Sequence, residues 1–206
     1  MDIAIFLNHF HEALNRVEES YYQTNSGSLF PNTNMYYERV FCYELYHQIR
    51  ALMDELRAKD PSTLSSMQFQ GELRKEPINS SIAAQAGLSP LSKKYVPDFL
   101  LHSPGNTDYH GLIIEVKSNP NICFAPIRED LAKIQEFITQ YKYQMGIFLI
   151  INNSMDRMRK LITKSKSQEW IRANLCGRSR ILFISKENRG SEIFECCLNN
   201  IPEFNS

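Results

Sequence analysis

Two apolar segments joined by a short polar turn, between Tyr95 and Lys117, constrain the fold of this chain most strongly. The first has the sequence Y-V-P-D-F-L-L-H and the second G-L-I-I-E-V-K, and Pro104 and Gly105 lie between them. Apolar runs of strand length separated by Pro and Gly are typical of a β-hairpin. We therefore expect two adjacent strands here.

Three ionisable side chains interrupt the predicted hairpin: Asp98 in the first segment, and Glu115 and Lys117 in the second. Side chains alternate between the two faces of a strand, so Glu115 and Lys117 point the same way and Val116 points the opposite way. Asp98, from the neighbouring strand, can converge on the face that carries Glu115. Two carboxylates and an ammonium on rigid strands would suit a hard divalent cation with a charge-stabilising group beside it.

This arrangement resembles the PD-(D/E)XK nuclease superfamily, which has the restriction-endonuclease-like fold. The residues that carry the resemblance are Pro97, Asp98, Glu115, Val116 and Lys117. Compatible surroundings extend it to roughly residues 36–151. The alternative interpretation is a set of solvent-exposed edge-strand charges, with a salt bridge between Glu115 and Lys117.

The rest of the pattern predicts the elements around the hairpin. Apolar spacing indicates helices over residues 2–23, Met35–Arg57 and Asp130–Tyr143, and one from Asn153 or Ser154 towards Leu175 that can break around Ser165–Ser167. We expect strands over residues 66–75, Gln144–Ile151, Arg180–Ser185 and Glu192–Leu198, an irregular connection over 76–94 and a loop over Ser118–Pro126. The order helix, three strands, helix, strand is that of the restriction-endonuclease-like core.

These elements predict an α/β protein in two parts. Residues 1–30 would form an N-terminal helical extension that caps the core or mediates dimerisation. Residues 34–200 would form the nuclease-like domain, in which the resemblance implies a mixed central sheet flanked by helices.

Two acids of the second predicted helix are further candidates for the site. At about 100° per residue, Glu38 falls in the middle of the apolar stripe of this helix and Glu44 at its edge. The resemblance implies that a helix before the sheet contributes an acid to the metal site. Periodicity favours Glu38, whereas the polar run that begins at Glu44 has the composition of a site-lining segment, so both stay open. A first-turn acid stabilised by the helix dipole is the simpler interpretation of Glu38.

Three other polar residues are weaker candidates. Glu72 could line the site from the strand before the hairpin, although a satisfied edge charge is the favoured interpretation. Lys133 and Gln135 lie near the start of the helix after the hairpin, where some nucleases of this superfamily have a polar residue beside the site. We expect Gln135 to be an ordinary surface residue.

The chain has a formal net charge of zero, but its charges are unevenly distributed. Residues 154–180 carry eight bases and two acids, a net charge of +6. Arg157, Lys160 and Lys164 would share one side of a helix, which indicates a surface for a polyanion. The alternative is a solvated basic face with no ligand.

Composition excludes several other classes of protein. The five cysteines form no C-x-x-C pair, so we expect neither a disulfide framework nor a zinc site, and a reducing cytoplasm is the expected compartment. The start of the chain lacks the features of a signal peptide. The longest apolar run, near Gly146–Ile151, is too short to span a membrane.

The chemistry implied by the resemblance is metal-dependent hydrolysis of phosphodiester bonds. Asp98, Glu115 and the Val116 carbonyl would hold Mg²⁺ (or Mn²⁺), with Glu38 or Glu44 completing the site. Lys117 would orient the nucleophile or stabilise developing charge. DNA is the favoured substrate, and RNA stays open as an alternative. We expect the protein to act in a defence or restriction system, either as a homodimer or as a subunit of a larger complex. The alternative is a catalytically silent nucleic-acid-binding or protein-interaction module of the same fold.

Overall fold

The computed structural model describes residues 3–25, 34–60, 67–105 and 109–200. Its helices are α1 (Ile3–Arg16), α2 (Glu19–Tyr22), α3 (Glu38–Lys59), α4 (Ser80–Gln85), α5 (Phe124–Gln140), α6 (Met155–Ile162) and α7 (Ser165–Asn174), with short 3-10 turns at Arg178–Arg180 and Leu198–Asn200. Its strands are β1 (Thr24–Asn25), β2 (Asn34–Met35), β3 (Gln68–Gly71), β4 (Phe99–His102), β5 (His110–Lys117), β6 (Met145–Ile151), β7 (Ile181–Lys186) and β8 (Phe194–Cys197).

Six of these strands form one mixed sheet in the order β3-β4-β5-β6-β7-β8. The pairs β3/β4, β4/β5 and β7/β8 are antiparallel, whereas β5/β6 and β6/β7 are parallel. The α/β class and the mixed sheet are confirmed, and α3, β3, β4, β5, α5 and β6 follow one another in the predicted order, with α4 as an addition. Short β1 and β2 pair separately.

The sheet separates two hydrophobic cores because its central strands are buried on both faces. In β5, Leu112, Ile114 and Val116 belong to the core under α1 and α3, while Ile113 belongs to the core under α5, α6 and α7. The alternation follows from the two-residue period of a strand. Glu115 and Lys117 share the phase of Ile113, so they lie on the α5 side.

Helix α1 packs within this chain. Its stripe of Phe6, Phe10 and Leu14 is buried against α3 and the sheet, and the Phe6 and Phe69 rings lie 5.6 Å apart. The single helix predicted over residues 2–23 is divided into α1 and α2, since the chain is extended at Glu18.

Three other expectations differ from the structure. The connection over 76–94 contains helix α4, which Asn79 caps by accepting a hydrogen bond from the Ser81 N–H at 2.9 Å. Helix α5 begins at Phe124 instead of Asp130, because Pro126 lies in the first turn, where its missing N–H costs no helical bond. The last predicted helix is interrupted at Thr163–Lys164, just before the expected Ser165–Ser167, which instead begin α7 after α6 has ended.

Close packing fixes α5 against the sheet beside the predicted site. Gly146 of β6 lies directly under Ile134, and a methyl group at this position would overlap the Ile134 side chain. Any larger residue would push α5 outward, so glycine sets the distance between helix and sheet.

In the described residues, no helix is long and apolar enough to cross a membrane.

Candidate active site

The hairpin brings Asp98, Glu115 and Lys117 together at one end of the sheet. Phe99 of β4 pairs with Ile114 of β5, so Asp98, directly before β4, lies beside Glu115 when this antiparallel register is continued. The Asp98 carboxylate accepts a hydrogen bond from the Val116 N–H at 2.7 Å. Glu115 is 1% exposed. This burial is inconsistent with the alternative of solvent-exposed edge charges.

Helix α5 adds two charged residues to this end of the sheet. Lys133 Nζ lies 2.6 Å from Glu115 Oε2 and 3.3 Å from Asp130 Oδ1. Asp130 Oδ2 in turn lies 2.9 Å from Lys117 Nζ. Sequence reasoning treated Lys133 as a weak candidate and missed Asp130. The sequence did contain a signal for Asp130, because this residue adjoins Leu131 in the apolar stripe of α5. A carboxylate buried in such a stripe needs a partner for its charge.

The two acids of α3 have different surroundings. Glu38 Oε1 lies 3.5 Å from Lys117 Nζ, and Glu38 Oε2 accepts a hydrogen bond from the Ser118 N–H at 3.3 Å. Glu44 accepts a hydrogen bond from Gln48 at 2.6 Å on its own helix. The structure therefore brings Glu38 to the site, as helical periodicity favours. Glu38 is also the first residue of α3, so the helix dipole stabilises its ionised form.

These side chains form what we call the charged cluster: Glu38, Asp98, Glu115, Asp130, Lys117 and Lys133. Its four carboxylates and two ammonium groups give a net charge of −2 when all are ionised. Burial raises the pKa of Glu115 well above its ordinary value of 4.5, and it also raises the pKa values of Asp98 and Glu38. Each of these three acids thus lacks part of the compensation that its negative charge requires.

The two lysines stay protonated. Burial lowers the pKa of Lys117, but Asp130, Glu38 and Asp98 together outweigh this effect and raise it above the ordinary value. The pKa of Lys133 is raised in the same way, because Glu115 and Asp130 outweigh its burial. Lys117 therefore offers a permanent positive charge and is unsuited to act as a general base near neutral pH.

The oxygen atoms of the cluster are of the type that a hard divalent cation prefers as ligands. Glu115 Oε1 is buried and has no hydrogen-bond partner among the described residues. Asp98 uses one carboxylate oxygen for the Val116 N–H, and the Val116 carbonyl accepts a hydrogen bond from Lys117 Nζ at 2.9 Å. In the described ranges no three His, Cys, Asp or Glu side chains are arranged to hold a metal ion, so a site here would depend on two carboxylates and the carbonyl. A divalent cation would also balance the net charge of −2.

Gln135 and Glu72 lie outside the direct contacts of the cluster. The prediction that Gln135 is a surface residue is wrong, because its side chain is buried. Gln135 Oε1 accepts a hydrogen bond from the Gly177 N–H at 2.9 Å, and Gln135 Nε2 donates one to Cys176 Sγ at 2.7 Å. This role depends on the turn after α7, which local sequence spacing does not reveal. Exposed Glu72 forms a 2.9 Å salt bridge with Arg39 beside a cavity.

Arg157 and Lys160 lie on α6 near the same end of the sheet, whereas Lys164 lies between α6 and α7, so the prediction that one helix carries all three bases is wrong. Lys117 pairs with Ile150 near the end of β6, and Asn152 donates a hydrogen bond to the Ser118 carbonyl at 3.1 Å. Helix α6 begins three residues later. The side chains of Arg157, Lys160 and Lys164 are exposed, so a polyanion could reach them.

No protein-family model matches this sequence, and comparisons with curated proteins and with solved structures give no significant match. The function is therefore inferred from the motif, geometry and chemistry of the charged cluster.

The buried Glu115 predicts a pH-dependent loss of stability when no divalent cation is bound. An acid with a raised pKa contributes stability below its unfolded-state value, near 4.5, and this contribution is lost as pH rises through the folded-state value. Glu115→Gln cannot ionise, so its free energy of unfolding relative to wild type should rise between the unfolded-state and folded-state pKa values and stay constant at higher pH, with a total change of about 1.4 kcal/mol per pH unit between the two values.

Urea unfolding in EDTA from about pH 5 to about pH 9 measures this difference. Glu129→Gln, at an exposed position on α5, is the matched control and should follow the wild-type profile. Parallel profiles for wild type and Glu115→Gln would contradict the prediction.

Proposed function

We propose that this protein is a metal-dependent nuclease of the PD-(D/E)XK type that hydrolyses phosphodiester bonds, with DNA as the favoured substrate. The observation that carries the proposal is the buried convergence of Asp98 and Glu115 with the ammonium of Lys117, in a cluster with a net charge of −2 when all its groups are ionised. The order of elements and the mixed strand directions support a restriction-endonuclease-like core. The expected setting is a cytoplasmic defence or restriction system, as a homodimer or with a partner subunit.

Each residue of the cluster has a distinct role in this proposal. Asp98, Glu115 and the Val116 carbonyl would hold Mg²⁺ or Mn²⁺, which when bound lowers the pKa of a water molecule and offsets phosphate charge. Lys117 supplies a fixed positive charge for the developing negative charge at phosphorus.

The remaining charged residues position these groups. Asp130 holds Lys117 from the α5 side and Glu38 holds it from α3, while Glu38 also fixes the Ser118 N–H. Lys133 neutralises one oxygen of Glu115 and leaves the other available. The ammonium of Lys117 must withdraw from the Val116 carbonyl for this oxygen to serve as a ligand.

A second candidate, a catalytically silent binding module of the same fold, is favoured by one observation. Lys133 and Lys117 already contact oxygens of Glu115, Asp130 and Val116, so the cluster can be regarded as a structural ion-pair network. Such a network would not require a net charge of −2 or a buried carboxylate oxygen without a partner. The two candidates differ in whether the chain cleaves nucleic acid.

The nuclease proposal predicts that Asp98→Ala, Glu115→Ala and Lys117→Ala each reduce metal-dependent cleavage by at least about 100-fold, because each removes a group that acts on the transition state. Plasmid and single-stranded substrates in Mg²⁺, Mn²⁺ or EDTA provide the assay. Glu38→Gln should weaken cleavage, whereas Glu44→Gln is the matched control and should retain it. Full activity of Lys117→Ala at the wild-type metal concentration would contradict the proposal.

The exposed bases of α6 and of the break between α6 and α7 predict a salt-dependent contribution to binding. If Arg157, Lys160 and Lys164 contact phosphates, the triple alanine variant should reduce the slope of log affinity against log salt by about 3 for duplex DNA and about 2 for a single strand. Fluorescence anisotropy over a salt series, in the Asp98→Ala background so that the substrate survives, measures the slope. Lys59→Ala combined with Lys142→Ala removes exposed charges at the opposite end of the sheet and is the control. An unchanged slope in the triple variant would assign these bases to a solvated face.

A further inference from the structure

A cavity of about 390 Å³ opens beside the charged cluster, between the first half of α3 and the adjoining ends of β3 and β4. Glu38 and Asp98 belong both to its wall and to the cluster. Its volume is in the range of pockets that hold a small ligand or one unit of a polymer. Any group inside it would therefore lie next to the proposed reaction centre.

The inner wall of this cavity is aromatic and rigid. Tyr46 stacks on Phe69 and on Phe99, with ring centroids 5.7 Å and 6.5 Å apart. Tyr43, three residues earlier on α3, also lines the cavity and is 59% exposed. Buried Phe99 and partly buried Tyr46 thus form the aromatic wall, and the exposed ring of Tyr43 remains available to stack on a planar ligand.

The polar part of the wall selects against anions. Glu38, Glu72 and Asp98 face one base, Arg39, which gives a net charge of −2 when all are ionised. The backbone of Glu72 is in the left-handed region, with φ of 49°, which is unfavourable for a residue other than glycine. The Glu72 N–H donates a hydrogen bond to the Asp98 carbonyl at 3.0 Å. Without the proposed divalent cation these carboxylates would repel a phosphate, but they can accept hydrogen bonds from amino groups. A flat, uncharged ring with amino or ring N–H donors meets both conditions.

We propose that this cavity receives an unstacked nucleobase of single-stranded nucleic acid, whose neighbouring phosphate lies at the charged cluster. The proposal rests on the nuclease function proposed above and specifies the class of its substrate. A paired base inside a duplex presents neither free face to Tyr43 nor free amino edge to Glu72, so a duplex would have to open first. Arg39 is 70% exposed, and its surface salt bridge to Glu72 is weak enough to break when a ligand enters.

The test compares a short single-stranded oligonucleotide with a fully paired hairpin by fluorescence anisotropy in Mg²⁺. All variants carry Lys117→Ala, which lies outside the cavity wall, so that the substrate survives. Tyr43→Ala should weaken single-strand binding about tenfold, the typical loss for one stacked base, and should leave hairpin binding almost unchanged. Tyr43→Phe, which keeps the ring, should restore most of the affinity. Tyr109→Ala, at an exposed tyrosine beside the opposite end of β5, is the matched control.

A fluorescent base analogue in the oligonucleotide gives a second readout, because its emission should be quenched in the complex and recover in Tyr43→Ala. Unchanged single-strand affinity in Tyr43→Ala, or an equal loss for strand and hairpin, would overturn the proposal. Nucleobase binding in the cavity and cleavage by the charged cluster can be measured independently. Tyr43-dependent binding without any cleavage by the wild type would support the nucleobase cavity and refute the nuclease, whereas cleavage with Tyr43-independent binding would refute the cavity alone.

Discussion

The ion pair between Glu115 and Lys133 is the interaction on which the rest of this site depends. Glu115 is almost completely buried at the end of a central strand, and leaving its charge without a partner would cost several kcal/mol. Lys133 supplies that partner from α5, and the close packing of Ile134 on Gly146 fixes the distance between α5 and the sheet. The hydrophobic core thus determines the geometry of the charged groups, and Asp130 extends the same network to Lys117.

A structural salt bridge alone would need fewer charges. Replacement of buried ion pairs by apolar residues is often neutral or stabilising, so a fold gains little from retaining six ionisable side chains in one place. When all groups are ionised, the excess of two carboxylates is unfavourable, and the proposed divalent cation would offset it. The cluster also lies at an end of the sheet where β4 begins, β5 and β6 end and α3 starts, and the cavity lined by Glu38 and Asp98 opens beside it.

Much of this arrangement could be predicted from local sequence. The hairpin could be predicted because Pro104 and Gly105 separate two apolar runs of strand length. Helical periodicity favoured Glu38, which the structure places beside Lys117. Asp130 and Gln135 were missed or misjudged because their partners come from distant segments, and spacing along one helix does not identify what the helix packs against. The cavity at Tyr43 depends on how α3 lies over β3 and β4, which only tertiary structure defines.

Calorimetric titration with Mg²⁺ and Mn²⁺ tests the central claim most directly, namely that the charged cluster is a site for a divalent cation. We predict one ion per chain, with proton release and an affinity that rises with pH, because the raised pKa values of Glu115, Asp98 and Glu38 make protons compete with the ion. Asp98→Ala should abolish this binding, and Glu44→Gln should preserve it. Equal binding by wild type and Asp98→Ala, or no binding at millimolar metal, would contradict the account.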